Sequence, residues 1–366
     1  MANPLTFTVN QRPDPVSDED RAAILAKPGF GKFFTDHMVQ ITWTKDDGWH
    51  DAKVTAYGPL QLDPSAAVLH YAQEIFEGMK AYRHADGSVW TFRPEANAGR
   101  FARSAARLAL PQLPEVDFLA SLKALLQVDQ AWVPDAGAGE ESLYLRPFMF
   151  ASEAFLGVRP AAKVTYCVIA SPAGAYFSGG LKPISLWISK QFSRAGIGGT
   201  GSAKCGGNYA ASLAAQTEAS EHGCDQSVFL DSIEQKWIEE LGGMNIFLVY
   251  KDGRLVTPAL SGSILEGVTR KSILELAKGL DLQPEERRID IDEWRQGAES
   301  GEITEAFACG TAAVVTPVHR LLWDGGEVSF GPSDDAGPVA GRIRQTLLDL
   351  QLGKVDDELG WLTRLA

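Results

Sequence analysis

Five of the ten residues from Gly198 to Gly207 are glycine, and a single cation, Lys204, stands among them. Such a stretch breaks both helix and strand, so it has to be a loop. Its flanks read as a strand, Ile184 to Ile188, and an alanine-rich helix, Tyr209 to His222, ended by Gly223. Glycine lets backbone approach a bound group closely or adopt positive φ. Lys204 then points at whatever the loop surrounds. Two chemistries use a lysine in this way: it neutralises a phosphate, or it forms a Schiff base with a carbonyl.

The phosphate reading needs G-x-x-x-x-G-K followed by Ser or Thr, whose hydroxyl holds magnesium. Here Ala203 precedes the lysine and Cys205 follows it. No G-x-G-x-x-G follows a first strand either, which argues against a dinucleotide-binding doubly wound sheet. A Schiff-base lysine fits pyridoxal 5'-phosphate. That cofactor asks for an acid at its ring nitrogen, a donor at its phenolic oxygen, and amides, hydroxyls and an arginine at its phosphate.

Length and charge bound the rest. The chain has 366 residues, enough for about two domains. Its net charge of -13 opposes nucleic acid or an anionic membrane as main partner. The four cysteines, Cys167, Cys205, Cys224 and Cys309, form no CxxC and no zinc signature, so no metal is expected. There is no signal-like start and no run of about 20 apolar residues, and the expectation is a soluble, cytoplasmic protein with reduced thiols.

Along the chain, the first forty residues read as irregular. Residues 40–60 alternate as short strands, and Ser88 to Arg93 reads as another. Pro94 opens a helix through Leu108, and Val116 to Val133 is a second. Ser142 to Ser152 reads as a buried strand broken at Pro147, and Lys163 to Ser171 as an unbroken one. The glycines and prolines of 172–183 mark a loop and a domain boundary. Beyond the lysine come a strand at Gln226 to Leu230, an Ile-Glu-Glu turn region, and Asn245 to Tyr250 with a hairpin signal at Lys251-Asp252-Gly253-Arg254. A helix follows a Gly-rich turn within Ser261 to Lys278. Thr304 to Pro317 reads as strand, turn and strand, and Gly337 to Leu352 as a C-terminal helix.

Several blocks, in order, carry a resemblance: LHYAQEIFEGMKAYR (69–83), FRPEANAGRFARSAARL (92–108), LYLRPFMFASE (143–153), GGTGSAKCGGNYAASL (198–213), IEELGGMNIF (238–247) and ACGTAAVVTPV (308–318). They are similar to branched-chain amino acid aminotransferases, of pyridoxal-phosphate fold type IV. The resemblance implies an α+β fold of two mixed domains, a smaller one over 1–175 and a larger one over 176–366 bearing the cofactor lysine, with the cofactor between them. It implies a homodimer whose site is completed across the interface. It also implies a reversible transfer of the amino group of L-leucine, L-isoleucine or L-valine to 2-oxoglutarate.

The same resemblance distributes roles. Lys204 would carry the cofactor as a Schiff base and then move the Cα proton. Glu240, rather than its neighbour Glu239, would face the ring nitrogen, and Tyr209 the phenolic oxygen. Arg100, with Arg103 as local rival, would bind phosphate together with Val268, Thr269 and Thr311. The amides of Thr311 and Ala312 would receive the substrate carboxylate. Tyr71, Phe76, Tyr144, Arg146 and Tyr176 would line the substrate pocket, with Arg146 taking the distal carboxylate of glutamate.

Two positions depart from the family pattern. Ala313 and Thr316 stand where some members have a CxxC, so no redox switch is expected there. Gly243 stands where some have threonine. Alternatives within the fold are a D-amino acid transaminase or an aminodeoxychorismate lyase. A different class is a non-enzymatic ligand-binding protein.

Overall fold

Apolar residues alternate or run continuously through the strands, and two sheets gather them in a computed structural model that describes residues 4–135, 139–174 and 181–366. The chain divides into two compact units. The first comprises Met1–Tyr176, Ala203–Gly206 and Asp349–Ala366; the second comprises Phe177–Ser202 and Gly207–Leu348.

The first unit is built on a sheet of nine strands: β1 (Thr8–Val9), β2 (His37–Thr44), β3 (Gly48–Ala56), β4 (Glu74–Phe76), β5 (Met79–Arg83), β6 (Val89–Phe92), β7 (Ser142–Ala151), β8 (Lys163–Ala173) and, from the end of the chain, Leu362–Arg364. The order is β1-β3-β2-β8-β7-β5-β6 and then the C-terminal strand, with β4 beside β7. Helices α1 (Asp18–Ala26), α2 (Ala67–Tyr71), α3 (Pro94–Arg107) and α4 (Glu115–Asp129) accompany it. Its core joins Ile41, Val54, Leu145 and Val168 from the sheet to Phe101 and Leu122 from α3 and α4. Ala203 and Cys205 pack into that same core, so the residues flanking Lys204 belong to the first unit.

The second unit holds the other nine-stranded sheet: β9 (Ile184–Ser189), β10 (Gln226–Leu230), β11 (Ile238–Leu241), β12 (Asn245–Tyr250), β13 (Arg254–Pro258), β14 (Gln283–Arg287), β15 (Ile303–Gly310), β16 (Val314–Trp323) and β17 (Gly326–Ser329). Its order is β11-β10-β9-β16-β15-β12-β13-β14, with β17 on β16. The remaining α-helices among the described residues are α5 (Gly206–Glu221), α6 (Val268–Ala277), α7 (Ile291–Ser300) and α8 (Pro338–Gln351). Both units mix strands and helices, as an α+β fold requires.

Four local expectations are corrected. The first forty residues are not all irregular: Ser17 caps the Asp20 N–H of α1, and three acids in the first turn suit the helix dipole. Pro147 does not break its strand. It stands where the neighbouring edge passes from β5 to β4, and its carbonyl still accepts the Glu77 N–H at 2.7 Å. The Ile-Glu-Glu segment is strand β11, not a turn: it pairs antiparallel with β10, and both glutamates are buried. The strand β14 and helix α7 were not anticipated; β14 has little apolar patterning, and α7 carries a charged face. The hairpin at Gly253 is present between β12 and β13, with φ +90° at the glycine.

Candidate active site

Lys204 is pinned through its backbone. Its N–H donates to Ser104 Oγ on α3 at 2.9 Å, and its carbonyl accepts the Phe76 N–H of β4 at 3.0 Å. The ammonium lies 4.9 Å from the Phe76 ring centroid. Two residues further on, Glu74 accepts the Gly206 N–H. Burial raises the Glu74 carboxyl, while that hydrogen bond and the Arg146 charge oppose the rise.

Arg100 and Ser104 share one face of α3 by their i, i+4 spacing, and both are buried; Arg103 is exposed. Arg100 docks its fork on Glu77, Nε to Oε1 at 2.7 Å and Nη2 to Oε2 at 2.8 Å. Asn97 adds a bond to Glu77 Oε2 at 2.7 Å. Burial alone would push the Glu77 carboxyl up. Arg100, the Lys204 charge and Asn97 outweigh it and hold the carboxyl below its usual range. Glu77 was missed from sequence; a glutamate in a strand-turn segment looks like surface.

Tyr144 and Arg146 alternate on β7 and so share a sheet face. Arg146 Nη2 donates to the Tyr144 hydroxyl at 3.0 Å, and its guanidinium stacks 4.7 Å from the Phe76 centroid. Both line a cavity of about 260 Å³ with Phe30, Phe34, Ile169 and Ser171. Phe30 meets Tyr144 edge to face at 5.1 Å. The two phenylalanines were missed because they lie in the segment read as irregular. Tyr71 is elsewhere, exposed, with its hydroxyl on the Leu156 carbonyl. Tyr176 lies outside the described residues.

In the second unit, β11 turns Glu239 and Glu240 to different partners. Glu240 Oε1 accepts the Leu265 N–H at 2.7 Å and pairs with Arg194 Nη1 at 2.9 Å. Asn245 Nδ2 reaches Oε2 at 3.4 Å and the Leu265 carbonyl at 3.0 Å. Glu239 takes the Ser263 hydroxyl, and burial raises its carboxyl. Arg194 escaped the sequence reading, since nothing in its neighbourhood marks it.

Asn245 leads directly to the start of α6. A Cβ on Gly267 would stand 2.0 Å from Asn245 Oδ1, so only glycine fits there. Gly267 is the N-cap of α6 and supplies no side-chain cap to the Val268 and Thr269 turn. An uncapped first turn offers N–H groups and a positive dipole end to an anion. Tyr209 on α5 lies against Gly243: a Cβ there would be 3.3 Å from Tyr209 Cε1. A Cβ on Gly310 would meet Met244 Cγ at 3.4 Å, so the turn bearing Thr311 and Ala312 abuts the Gly243–Met244 segment. Val314, closing that turn, holds φ +61°, a costly geometry for a β-branched residue. Cys309 and Ala313 are buried, and burial pushes the Cys309 thiol up to about 12.

Within the second unit a buried carboxylate, a phenol and an uncapped helix start are groups of the kind pyridoxal phosphate asks for, and the first unit by itself offers an amine. No group of three His, Cys, Asp or Glu among the described residues could hold a metal ion.

The comparisons agree with this chemistry. The family model "Amino-transferase class IV" matches residues 74–321. A branched-chain-amino-acid aminotransferase of Mycolicibacterium smegmatis is 58% identical over 100% of this chain and 99% of that protein. One of Mycobacterium tuberculosis is 57% identical over 99% of this chain and 98% of that protein. A crystal structure of the Escherichia coli branched-chain amino acid aminotransferase superposes with TM-score 0.72 at 28% identity, over 90% of this chain and 100% of that one. This chain belongs to the class IV aminotransferase family, whose members use pyridoxal phosphate.

Proposed function

We propose that the chain is a branched-chain amino acid aminotransferase, moving the amino group reversibly between L-leucine, L-isoleucine or L-valine and 2-oxoglutarate. The observation that carries this reading is the full-length similarity to branched-chain-amino-acid aminotransferases at 57–58% identity. The aromatic cavity at Tyr144 and Arg146 supports it.

Lys204 and Arg100 of the first unit, with Tyr209, Glu240, Val268, Thr269 and Thr311 of the second, would hold pyridoxal phosphate. The cofactor, when bound, supplies an aldehyde for the substrate amine and a ring that takes up the electrons of the Cα–H bond. Lys204 holds and moves the Cα proton; its backbone bonds to Phe76 and Ser104 fix where the amine can reach. Glu240 keeps a proton on the ring nitrogen, and Tyr209 donates to the phenolic oxygen. Arg100 and the first turn of α6 hold the phosphate.

Phe30, Phe76 and Tyr144 present apolar surface to a branched side chain, and a charged one would lose its water there without a partner. Arg146 offers the distal carboxylate of glutamate a cation in that cavity's lining. The amides of Thr311 and Ala312 receive the α-carboxylate.

Leu69, Tyr71, Leu156 and Val158 are each exposed apolar side chains, Val158 at 88%. A homodimer covering them, with Tyr71 reaching the other copy's site, accounts for that exposure. Four free, buried cysteines suit a reducing, cytoplasmic setting.

The test is a donor-by-acceptor kinetic matrix on wild type and Lys204→Ala. Wild type transfers from leucine, isoleucine and valine to 2-oxoglutarate; Lys204→Ala loses turnover and the visible absorbance. Full activity in that variant, or transfer from D-amino acids alone, rejects the proposal.

A further inference from the structure

Arg194 is a long cation spent entirely inside the second unit. Its side chain is 1% exposed and that of its partner Glu240 is 2%. Arg194 Nη1 lies 2.9 Å from Glu240 Oε1 and donates also to the Ser263 carbonyl at 3.0 Å and towards the Gly201 carbonyl at 3.4 Å. Those two carbonyls come together only because Gly201 has no side chain: a Cβ there would stand 2.2 Å from the Ser263 oxygen. Ser263 in turn gives its hydroxyl to Glu239. The glycine-dense loop and the segment before α6 therefore close around one guanidinium, which is held against Glu240 and whose charge also reaches the buried Glu239.

We propose that Arg194 is a positioning residue that keeps Glu240 anionic and in a single orientation, so that the proton it shares with the cofactor's ring nitrogen stays on the ring. This rests on the assignment of Glu240 to the ring nitrogen. A guanidinium in contact with a buried carboxylate favours the charged form of that carboxylate. A carboxylate deprived of this cation takes up a proton more readily. In an active site, that proton comes from the ring, and a neutral ring accepts the electrons of the Cα–H bond less well. The Leu265 N–H would still orient Glu240 in the absence of Arg194, so the two contributions separate: the amide positions, the guanidinium sets the charge.

The experiment compares wild type, Arg194→Gln, Arg194→Lys and Glu240→Gln, each loaded with pyridoxal phosphate. The readouts are the pH titration of the visible cofactor band, exchange of the Cα deuteron of labelled leucine, and thermal unfolding of the cofactor-free proteins. Arg194→Gln moves the titration midpoint upward by about one unit or more, because a neutral ring withdraws less charge from the lysine–cofactor linkage. It slows deuteron exchange by about tenfold or more, with KM changed less than kcat. Arg194→Lys, which keeps the charge, restores the midpoint to near the wild-type value. A wild-type titration in Arg194→Gln beside a displaced one in Glu240→Gln overturns the inference. Should the cofactor-free Gln variant unfold, Arg194→Lys decides: a midpoint displaced as far as that of Glu240→Gln overturns it, and a retained one supports it. Wild-type behaviour of Glu240→Gln would instead remove the assignment on which the inference stands.

Discussion

Replacing Glu77 by glutamine tests the ion pair beneath Lys204. The glutamate is fully buried, and Arg100 beside it is almost so. Glu77→Gln preserves shape and one acceptor oxygen but leaves the Arg100 guanidinium without its countercharge. Breaking one side of a buried pair costs about 3 kcal/mol or somewhat more. For a folding unit of some 200 residues, that corresponds to a melting temperature lower by about 6–12 °C. The sign with pH follows from the direction of the Glu77 shift. Its folded carboxyl titrates below its ordinary value of 4.5, held there by Arg100, Lys204 and Asn97 against burial. The stabilisation is therefore fully present above the unfolded value and is lost as pH falls through the folded one. The gap between wild type and Glu77→Gln should be constant near neutrality and shrink below about pH 4.5. Urea unfolding of the cofactor-free proteins across that range measures it. A variant melting within about 2 °C of wild type at neutral pH refutes the reasoning. So does a gap that widens on acidification.

Three other outcomes are expected. Gly267→Ala drives a Cβ into Asn245 Oδ1 and displaces the start of α6, so pyridoxal phosphate should dissociate at least about tenfold more readily in equilibrium dialysis. Arg146→Met removes the cation beside the Tyr144 hydroxyl; KM for glutamate should rise by about tenfold or more while KM for leucine changes little, as steady-state kinetics would show. Val158→Glu places a charge on the most exposed large apolar side chain among the described residues, and on the proposed homodimer sedimentation should show association weakened by about tenfold or more, with the cofactor-free fold retained.

Much of the fold was legible where local chemistry is decisive. Pro94 starts α3, Gly253 turns the hairpin, and the β-branched run at Lys163 forms β8. The reading failed where tertiary partners override local signals. Pro147 is tolerated inside β7 because of what pairs on either side of it, and β11 holds two glutamates that composition would send to the surface. The site divides the same way. Lys204, Tyr209, Glu240 and Arg100 stand in blocks whose order and spacing carry information. Glu77 stands in such a block as well, but only its ion pair with Arg100 marks it; Arg194, Phe30 and Phe34 stand in stretches that carry none, and only their neighbours mark them.

The sequence by itself determined the chemistry on offer. A lysine among glycines, followed by cysteine where a magnesium-holding hydroxyl would be needed, points away from a nucleotide, and the family resemblance of the blocks around it points to a carbonyl. That inference needs only residue identity and spacing. Tertiary structure alone decided which groups hold those residues. Chain order puts Lys204 in the second half of the protein, yet its flanking residues pack into the core of the first unit. Glu240 and Glu239 are adjacent in sequence, but a strand sends neighbouring side chains to opposite faces: Glu240 pairs closely with Arg194, while Glu239 takes the Ser263 hydroxyl and feels the Arg194 charge only as a minor opposition to burial. The charge a buried carboxylate carries depends on which cation lies within about 3 Å of it, and contacts between residues distant in sequence are set by packing rather than by spacing.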